Sequence, residues 1–204
     1  MADIEGLVQR YRIALRVVSS GSFAEAIVLF RTILRDVLAL ESTDETRDLA
    51  DICAEYISAT RAGLLASMLR SSAQNDADTA RALQVTALFT HFNVQRVHTS
   101  LALRSAARAC IDVRNIAMAY AFIRRASTIE PIEMPPFLET TQLTDAIAVD
   151  YDPQRPFLIC SGSFTQIFEQ DARVRCDVCR SPYHKQYAGE TCKTCEIGRV
   201  QDNI

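Results

Sequence analysis

Four cysteines near the C-terminus restrict the fold of this chain more than any other feature of its sequence. They form two pairs with two-residue gaps, Cys176-x2-Cys179 and Cys192-x2-Cys195, which are separated by twelve residues. Each pair is short enough to form a tight knuckle that directs both sulfurs to one point. Four thiolates then complete the tetrahedral coordination of Zn²⁺. We predict a structural zinc site, because a closed shell of four sulfurs leaves no position for a substrate.

Other interpretations of the four cysteines stay open at this point. In one interpretation the four cysteines are reduced free thiols in a packed β-rich module. In another they form disulfides during purification. His184 is able to replace one cysteine as a ligand, although a position at the surface or beside the ligands suits it better. The twelve-residue spacer allows a small hairpin through Tyr183 and Tyr187 that turns near Gly189.

The remaining three cysteines have apolar neighbours along the sequence. The total of seven is odd, which excludes a complete set of intramolecular disulfides. A free cysteine among apolar residues usually behaves as a small buried hydrophobe. We therefore predict that Cys53, Cys110 and Cys160 are core residues.

The chain changes character near residue 149. Apolar residues before that point recur at three- and four-residue intervals, as in amphipathic helices. From Tyr151 onward aromatic and β-branched residues are closely spaced, and Gly162-Ser163 separates two short predicted strands. The predicted fold class is mainly α: a helical-hairpin, tetratricopeptide-like bundle over residues 1–148, then a small β-rich, zinc-ribbon-like module over residues 149–204. So small a module needs a metal or the helices to complete its core.

Capping and breaking signals indicate where the helices begin and end. Ser19-Ser20-Gly21 ends the first helix, and Ser42-x2-Glu45 has the form of a capping box that opens a long one. A further helix is predicted to begin at the polar run Asn75–Asp78. We predict a short last helix between Phe137 and Ile147.

Two of the predicted helices share a pattern of small and bulky residues. Phe23-Ala-Glu-Ala26-x3-Phe30 is similar to Ile116-Ala-Met-Ala119-x3-Ile123. The small alanine allows a neighbouring helix to approach closely, as in tetratricopeptide-like hairpins. The two copies lie 93 residues apart instead of about 34, so an irregular helical bundle is an equally good interpretation.

Composition and motifs disfavour several classes of function. The net charge of −3 offers no basic excess for binding nucleic acid without sequence preference. The sequence has no Gly-rich phosphate loop and no Ser-His-Asp pattern. His91 and His98 are seven residues apart, a spacing that allows them to share a helix face. Asn93, a residue type that begins helices, lies between them, so we do not expect a catalytic pair. We predict a non-enzymatic protein without catalytic residues.

We expect a cytoplasmic protein. No segment approaches the roughly 18–20 apolar residues that span a bilayer. The N-terminus lacks the basic start and the apolar core of a signal peptide.

Segments along nearly the whole chain resemble motifs of one known family. Gly21–Leu34 is similar to "G-x-F-x-x-A-x-x-x-F-R-x-I-L", Asp51–Ile57 to "I-C-x-E-Y-I", and Phe89–His98 to "F-T-H-x-N-L-Q-x-x-H". The further matches, in chain order, are Leu101–Ala106, Asn115–Arg125, Asp150–Cys160, Tyr187–Cys192 and Glu196–Gly198. These resemble motifs of the C-terminal domain of the coatomer alpha subunit family.

The resemblance implies a structural subunit of the COPI coat, which forms vesicles for Golgi-to-ER and intra-Golgi transport. It implies that this domain docks the coatomer epsilon subunit and works beside other coatomer subunits, without nucleic acid. The assembled coat would bring it to Golgi membranes and COPI-coated vesicles, so its contact with the membrane is indirect. The chain would then be a C-terminal fragment. Many family members keep only part of the cysteine quartet, so the zinc prediction depends on the residues of this chain.

Two alternative functions remain at this point. One is a different coat-like scaffold, such as a subunit of intraflagellar transport, and the other is a zinc-ribbon module that binds nucleic acid. The sequence does not identify the residues that bind a partner. Exposed apolar residues of the tail such as Phe164, Ile167 and Phe168 are candidates, and the alternative is that they form the core of the tail.

Overall fold

A computed structural model of the chain describes residues 4–202. The helices are α1 (Ile4–Ser19), α2 (Phe23–Leu38), α3 (Asp44–Ser72), α4 (Asp76–Phe89), α5 (Arg96–Asp112), α6 (Ile116–Ser127) and α7 (Pro136–Thr140). The strands are β1 (Phe157–Ile159), β2 (Gln166–Phe168), β3 (Arg173–Cys176), β4 (Pro182–His184) and β5 (Val200–Gln201), with a 3₁₀ turn at Lys185–Tyr187. None of these helices has the combination of length and apolar character that crossing a bilayer requires.

The mainly helical class with a β-rich C-terminal part is confirmed. Strands β1 and β2 form an antiparallel hairpin around Gly162-Ser163, as predicted. The other sheet has the antiparallel order β4-β3-β5. The predicted hairpin within the spacer is wrong: Tyr183 pairs with Val174 of β3, and Tyr187 lies in the 3₁₀ turn. Part of the spacer instead forms β4 and pairs with β3, the strand that ends at Cys176.

The helix starts are partly as predicted. Asn75 caps α4, since the Asp78 N–H donates to Asn75 Oδ1 at 2.9 Å. The predicted capping box at Ser42 and Glu45 is displaced by one residue. The Thr46 N–H donates to Thr43 Oγ1 at 3.2 Å, and the Thr43 N–H donates to Thr46 Oγ1 at 2.8 Å. Helix α5 begins at Arg96 after Gln95, beyond the position expected from Asn93.

The last predicted helix, between Phe137 and Ile147, is shorter in the structure, where α7 ends at Thr140. The fully buried amide of Asn115 explains the difference. Its Nδ2 donates to the Ile147 carbonyl at 2.8 Å, and its Oδ1 accepts from the Ile147 N–H at 2.9 Å. Asp145 also forms a bridge with Asn115. The backbone near Ile147 is therefore held extended by a side chain 32 residues away.

Two helical hairpins end their first helix in the same way. After α1, the Ser22 N–H donates to the Val17 carbonyl and the Gly21 N–H donates to the Val18 carbonyl. After α5, Asn115 and Arg114 repeat this pattern, which is the Schellman motif. The residue in the left-handed conformation is Gly21 (φ 78°) in one hairpin and Arg114 (φ 61°) in the other. The two segments with similar sequence, in α2 and α6, are thus the second helices of two hairpins.

The chain divides into two compact units. One unit comprises residues 1–64 and 152–204. In its helical part the rings of Phe30 and Tyr56 stack with centroids 4.8 Å apart, and Tyr11 meets both rings edge-on. The β-rich segment belongs to this unit together with α1, α2 and the first part of α3. The predicted division into domains at residue 149 stays a prediction.

The other unit comprises residues 65–151. Its core is formed mainly by α4, α5 and α6, whose small residues pack around larger ones. The buried members are Leu83, Ala87, Leu103, Ala106, Ala107, Ala109, Cys110, Ala119, Phe122, Ile123, Ala126 and Leu138. The high share of alanine allows the helices to lie close together, as the sequence pattern around Ala119 predicts.

The two left-handed positions give a matched test of backbone strain. A Cβ at Gly21 would meet no heavy atom within 4 Å, so Gly21→Ala adds only the conformational cost of a left-handed L-residue. We expect a loss of about 1–2 kcal/mol in the free energy of unfolding. Arg114→Gly removes that cost at the equivalent position, and we expect a gain of up to about 1 kcal/mol. Urea denaturation measures both, and two changes of the same sign would contradict this account.

Candidate metal centre

Each cysteine pair lies in a tight turn between two antiparallel segments. The first turn joins β3 to β4, and the second lies inside the bridge between Thr191 and Arg199. In each turn the N–H of the fifth residue donates to the carbonyl of the first cysteine: Arg180 to Cys176 at 3.1 Å and Glu196 to Cys192 at 3.0 Å. Both fifth residues are left-handed, with φ of 59° and 60°. We call such a five-residue turn a knuckle.

The two knuckles bring four sulfurs together. The four Sγ atoms lie within 4.8 Å of one another. Cys176 and Cys195 are 3.7 Å apart and Cys179 and Cys192 are 3.5 Å apart, measured between sulfurs. All four residues are buried. A convergence of this kind, across segments that are not adjacent in the chain, is what the spacing of the two pairs predicts.

Backbone N–H groups point at three of the four sulfurs. Cys176 Sγ accepts from the N–H groups of Val178 and Cys179 at 3.4 and 3.5 Å. Cys192 Sγ accepts from Thr194 at 3.4 Å, and Cys195 Sγ accepts from Gly198 at 3.3 Å. Hydrogen bonds of this kind stabilise a thiolate more than a thiol, because they are directed at the charged form.

Side-chain hydroxyl groups complete the surroundings of the sulfurs. The Lys193 N–H donates to Tyr183 Oη at 2.8 Å, which leaves the hydroxyl proton free to donate to Cys192 Sγ at 3.2 Å. Burial raises the pKa of Tyr183, so this hydroxyl stays protonated. Ser181 Oγ lies 3.2 Å from Cys179 Sγ.

The thiols share protons unequally. Hydrogen bonding with Cys176 raises the pKa of Cys179 and lowers that of Cys192. The same neighbour lowers the pKa of Cys195 to about 6. Four sulfurs at these distances are therefore not four ordinary thiols, and two of them, Cys192 and Cys195, favour the thiolate. Negative charge inside a buried cluster requires a compensating cation or shared protons.

The donor set fits Zn²⁺. With Zn–S bonds of about 2.3 Å, the edges of a tetrahedron are about 3.8 Å long, close to the sulfur–sulfur distances of the two pairs. The shell is closed, because four protein sulfurs occupy all four positions. His184 is not among them, since its Nε2 lies 2.9 Å from Thr165 Oγ1. Within residues 4–202, the quartet is the one cluster of three or more potential metal ligands.

Gly198 is required beside the sulfurs. A Cβ placed on this residue would lie 2.6 Å from Cys176 Sγ and closer still to Asp177 Oδ1, nearer than such atoms approach. Its backbone also carries the N–H that donates to Cys195 Sγ. The glycine lets the chain pass close enough to the site to make that bond.

An arginine from α2 holds the second knuckle. Arg31 Nε donates to the Thr194 carbonyl at 3.0 Å and Nη2 donates to the Lys193 carbonyl at 2.8 Å. Its Nη1 forms an ion pair with Glu196 at 2.7 Å. From α3, Ser58 Oγ lies 3.2 Å from Thr194 Oγ1. Arg31 thus supplies hydrogen-bond donors to two carbonyl groups of the second knuckle, and α3 adds a contact between hydroxyl groups.

The structure confirms that Cys53, Cys110 and Cys160 are buried. Burial raises the pKa of both Cys53 and Cys110 to about 12, so neither is a ready nucleophile. His98 lies in α5, whereas His91 follows the end of α4, and the two are not on one helix. Burial, with the nearby Arg125, lowers the pKa of His91 to about 4, so this ring stays neutral at physiological pH.

Two of the candidate partner contacts in the tail are wrong. Phe164 and Ile167 are buried, with exposures of 3% and 0%. Phe168 is half-buried and lies under the Arg155 guanidinium, whose Cζ is 3.9 Å from the ring centroid. The alternative interpretation, that these residues form the core of the tail, holds for the first two.

The residues that sequence reasoning misses are those that act over long distances in the chain. Arg31 is one of twenty arginines, and nothing next to it indicates that its carbonyl partners lie 162 and 163 residues away. Tyr183 and Gly198 have a weak signal, since both are close in sequence to the cysteines. Their roles depend on the direction of one hydroxyl and on one missing side chain.

Comparisons with known proteins add a separate line of support. The family model for the C-terminus of the coatomer (COPI) alpha subunit matches residues 1–204. The chain is 28% identical to coatomer subunit alpha of Dictyostelium discoideum and to coatomer subunit alpha-1 of Arabidopsis thaliana, each over 97% of this chain and 17% of that protein. It is 29% identical to putative coatomer subunit alpha of Schizosaccharomyces pombe, over 92% of this chain and 16% of that protein. The chain therefore spans about a sixth of the length of these relatives.

The contacts of Arg31 predict a cost for even a conservative substitution. Arg31→Lys keeps the positive charge, but the lysine ammonium lacks the planar set of donors with which the guanidinium contacts two carbonyl groups and one carboxylate. We expect the free energy of unfolding to fall by about 1–3 kcal/mol, measured by urea denaturation. Arg35→Lys is the matched control, because Arg35 is exposed on the same helix. Equal losses in the two variants would contradict the role given to Arg31.

Proposed function

The chain belongs to the family defined by the C-terminus of the coatomer (COPI) alpha subunit, and we propose that it is a non-enzymatic structural module of a COPI vesicle coat. The observation that carries this proposal is the match of the family model to all 204 residues. Under this proposal the module docks the coatomer epsilon subunit and works beside other coatomer subunits in Golgi-to-ER and intra-Golgi transport. It is cytoplasmic and reaches Golgi membranes and COPI-coated vesicles only through the assembled coat.

The chemistry of the chain supports a structural role. The quartet is closed, so a metal held there has no open position for a substrate. The isolated cysteines Cys53 and Cys110 have raised pKa values and are buried, which suits packing rather than covalent catalysis. A docking module needs a frame that holds its surface fixed, and the helices fastened to the knuckles supply one.

We further propose that Cys176, Cys179, Cys192 and Cys195 hold one structural Zn²⁺ ion. When bound, the ion compensates the thiolate charge and joins the two knuckles. The chain's own groups support it, because backbone N–H groups within and beside the knuckles donate to three of the sulfurs. The sheet β4-β3-β5, whose longest strand has four residues, would gain most of its stability from this link.

Metal analysis tests the zinc site directly. We expect one zinc per chain after purification under reducing conditions, measured by elemental analysis. Cys176→Ala is expected to lose the ion and to unfold the β-rich segment, because part of the free energy of folding there is metal binding. Cys110→Ala is the matched control, since it removes a buried thiol from the other unit, and it should keep the ion. Two results together would contradict the proposal: a purified wild-type chain that contains no zinc, and a free energy of unfolding that a chelator leaves unchanged.

Binding of the epsilon subunit tests the coat function. We expect the purified, metal-loaded chain to form a complex with the coatomer epsilon subunit from the same organism, detected by size-exclusion chromatography and calorimetry. The matched arm uses single-stranded RNA and duplex DNA at low salt, where non-specific binding is strongest. Binding to nucleic acid that weakens steeply with salt, without any complex with epsilon, would overturn the coat function in favour of a nucleic-acid module.

A further inference from the structure

The β-rich segment contains a third copy of the knuckle. Cys160, Cys176 and Cys192 are spaced sixteen residues apart. Residues 160–164 join β1 to β2, as the first metal knuckle joins β3 to β4. The Phe164 N–H donates to the Cys160 carbonyl at 2.8 Å, and Phe164 is left-handed, with φ of 51°. These are the same bond and the same conformation that define the two knuckles of the quartet.

The similarity extends to a further backbone bond. The Cys160 N–H donates to the carbonyl of Thr165, five residues on, at 2.9 Å. The Cys176 N–H makes the equivalent bond to Ser181 at 3.1 Å. Phe164 adopts the left-handed conformation, which is rare for L-residues and especially unfavourable for a bulky one. A shared turn with such an unfavourable residue indicates a common construction rather than chance.

An arginine also contacts this third knuckle, as Arg31 contacts the last one. Arg61 Nη1 donates to the Ser161 carbonyl at 3.0 Å, and Arg61 lies over the Phe164 ring at 5.2 Å. Arg31 makes the equivalent contacts with Lys193 and Glu196 of the last knuckle. In both cases the arginine binds the carbonyl of the second knuckle residue and the side chain of the fifth.

The third knuckle differs in its ligand positions. The quartet knuckles have cysteine at the first and fourth positions, whereas this one has Cys160 and Ser163. Its partner pair has the same two-residue gap, His184-x2-Tyr187. The structure places the two pairs together. The His184 N–H donates to Cys160 Sγ at 3.4 Å, and the Tyr187 ring lies 2.6 Å from where a Cβ on Gly162 would be.

We propose that Cys160, Ser163, His184 and Tyr187 form a second metal-type site in which side-chain packing replaces the ion. Ser163 Oγ lies 2.7 Å from Thr165 Oγ1, which lies 2.9 Å from His184 Nε2, so a chain of hydrogen bonds occupies the nitrogen that would bind a metal. The Tyr187 ring covers the turn at Gly162. Under this proposal the natural chain needs no ion here, and the substitutions Ser163→Cys and Tyr187→Cys would give the site three sulfurs and one imidazole for Zn²⁺.

The order of the pairs along the chain agrees with this assignment. The pairs at 160/163 and 184/187 alternate with those at 176/179 and 192/195. Two interleaved sites tie both ends of the segment together, so that neither hairpin depends on its few strand residues alone. This inference rests neither on the coat function nor on zinc in the quartet, because its test compares the zinc content of variants with that of the wild type.

The test is a gain of metal. The variant Ser163→Cys/Tyr187→Cys should hold one more zinc per chain than the wild type, measured by elemental analysis. In the Co²⁺-loaded form it should show additional visible absorption from a tetrahedral site. The matched control, Ser105→Cys/Tyr120→Cys, makes the same two exchanges in α5 and α6 of the other unit and should gain none. No additional zinc in the folded double variant, or an equal gain in the control, would overturn the proposal.

A single substitution keeps the proposal open to disproof if the double variant does not fold. Ser163→Cys alone offers Cys160, the new thiol and His184, and it should bind Co²⁺ more weakly, with water as the fourth ligand. Absence of that binding in the folded single variant would also overturn the proposal. The wild type supplies a further check, because two zinc ions per wild-type chain would show that packing does not replace the second ion.

Discussion

The β-rich part of this protein depends on the convergence of four buried sulfurs. Its strands have two to four residues each, and sheets of that size are not stable in isolation. The knuckles supply what the strands lack, because each one fixes its turn through a left-handed residue and a backbone bond and directs its sulfurs inward. Thiolate charge at such a place has to be compensated, which is the physical reason to expect a cation there.

Two arginines extend that arrangement to the helices of the same unit. Tight turns leave carbonyl groups that point away from any strand, and a buried carbonyl without a donor is costly. Arg31 and Arg61 meet this need with charged donors, which make stronger hydrogen bonds than neutral ones. The planar guanidinium donates to several acceptors at once, a geometry that lysine lacks. The side chains thereby fasten α2 and α3 to turns at least 100 residues away in the sequence.

Such a construction suits a protein whose surface, and not a reactive group, is its working part. Several chemically capable side chains help to hold the fold. They include the four cysteines of the quartet, the hydroxyl of Tyr183, and the neutral ring of His91, whose Nε2 lies 2.5 Å from Tyr151 Oη. Membership of the coatomer alpha subunit family is consistent with this pattern. The chain corresponds to about a sixth of the length of the relatives that it matches.

Features that depend on local patterns could be predicted from the sequence. The spacing of Cys176, Cys179, Cys192 and Cys195 sufficed to predict their convergence, because a two-residue gap allows few other arrangements. Helical periodicity, the cap at Asn75 and the break at Gly21 were predictable because each depends on neighbours within a few residues. The resemblance of short ordered motifs indicated the family.

Tertiary structure alone decided the features that depend on distant partners. The backbone near Ile147 is extended because it binds the side-chain amide of Asn115, 32 residues away. No local sequence pattern therefore predicts the early end of the last helix. Phe164 is buried and lies under Arg61, which is distant in the sequence. The role of Arg31 depends on carbonyl groups 162 and 163 residues away. The third knuckle shows the same division. The sixteen-residue spacing is visible in the sequence, but only the fold shows that His184 and Tyr187 meet Cys160 and Gly162.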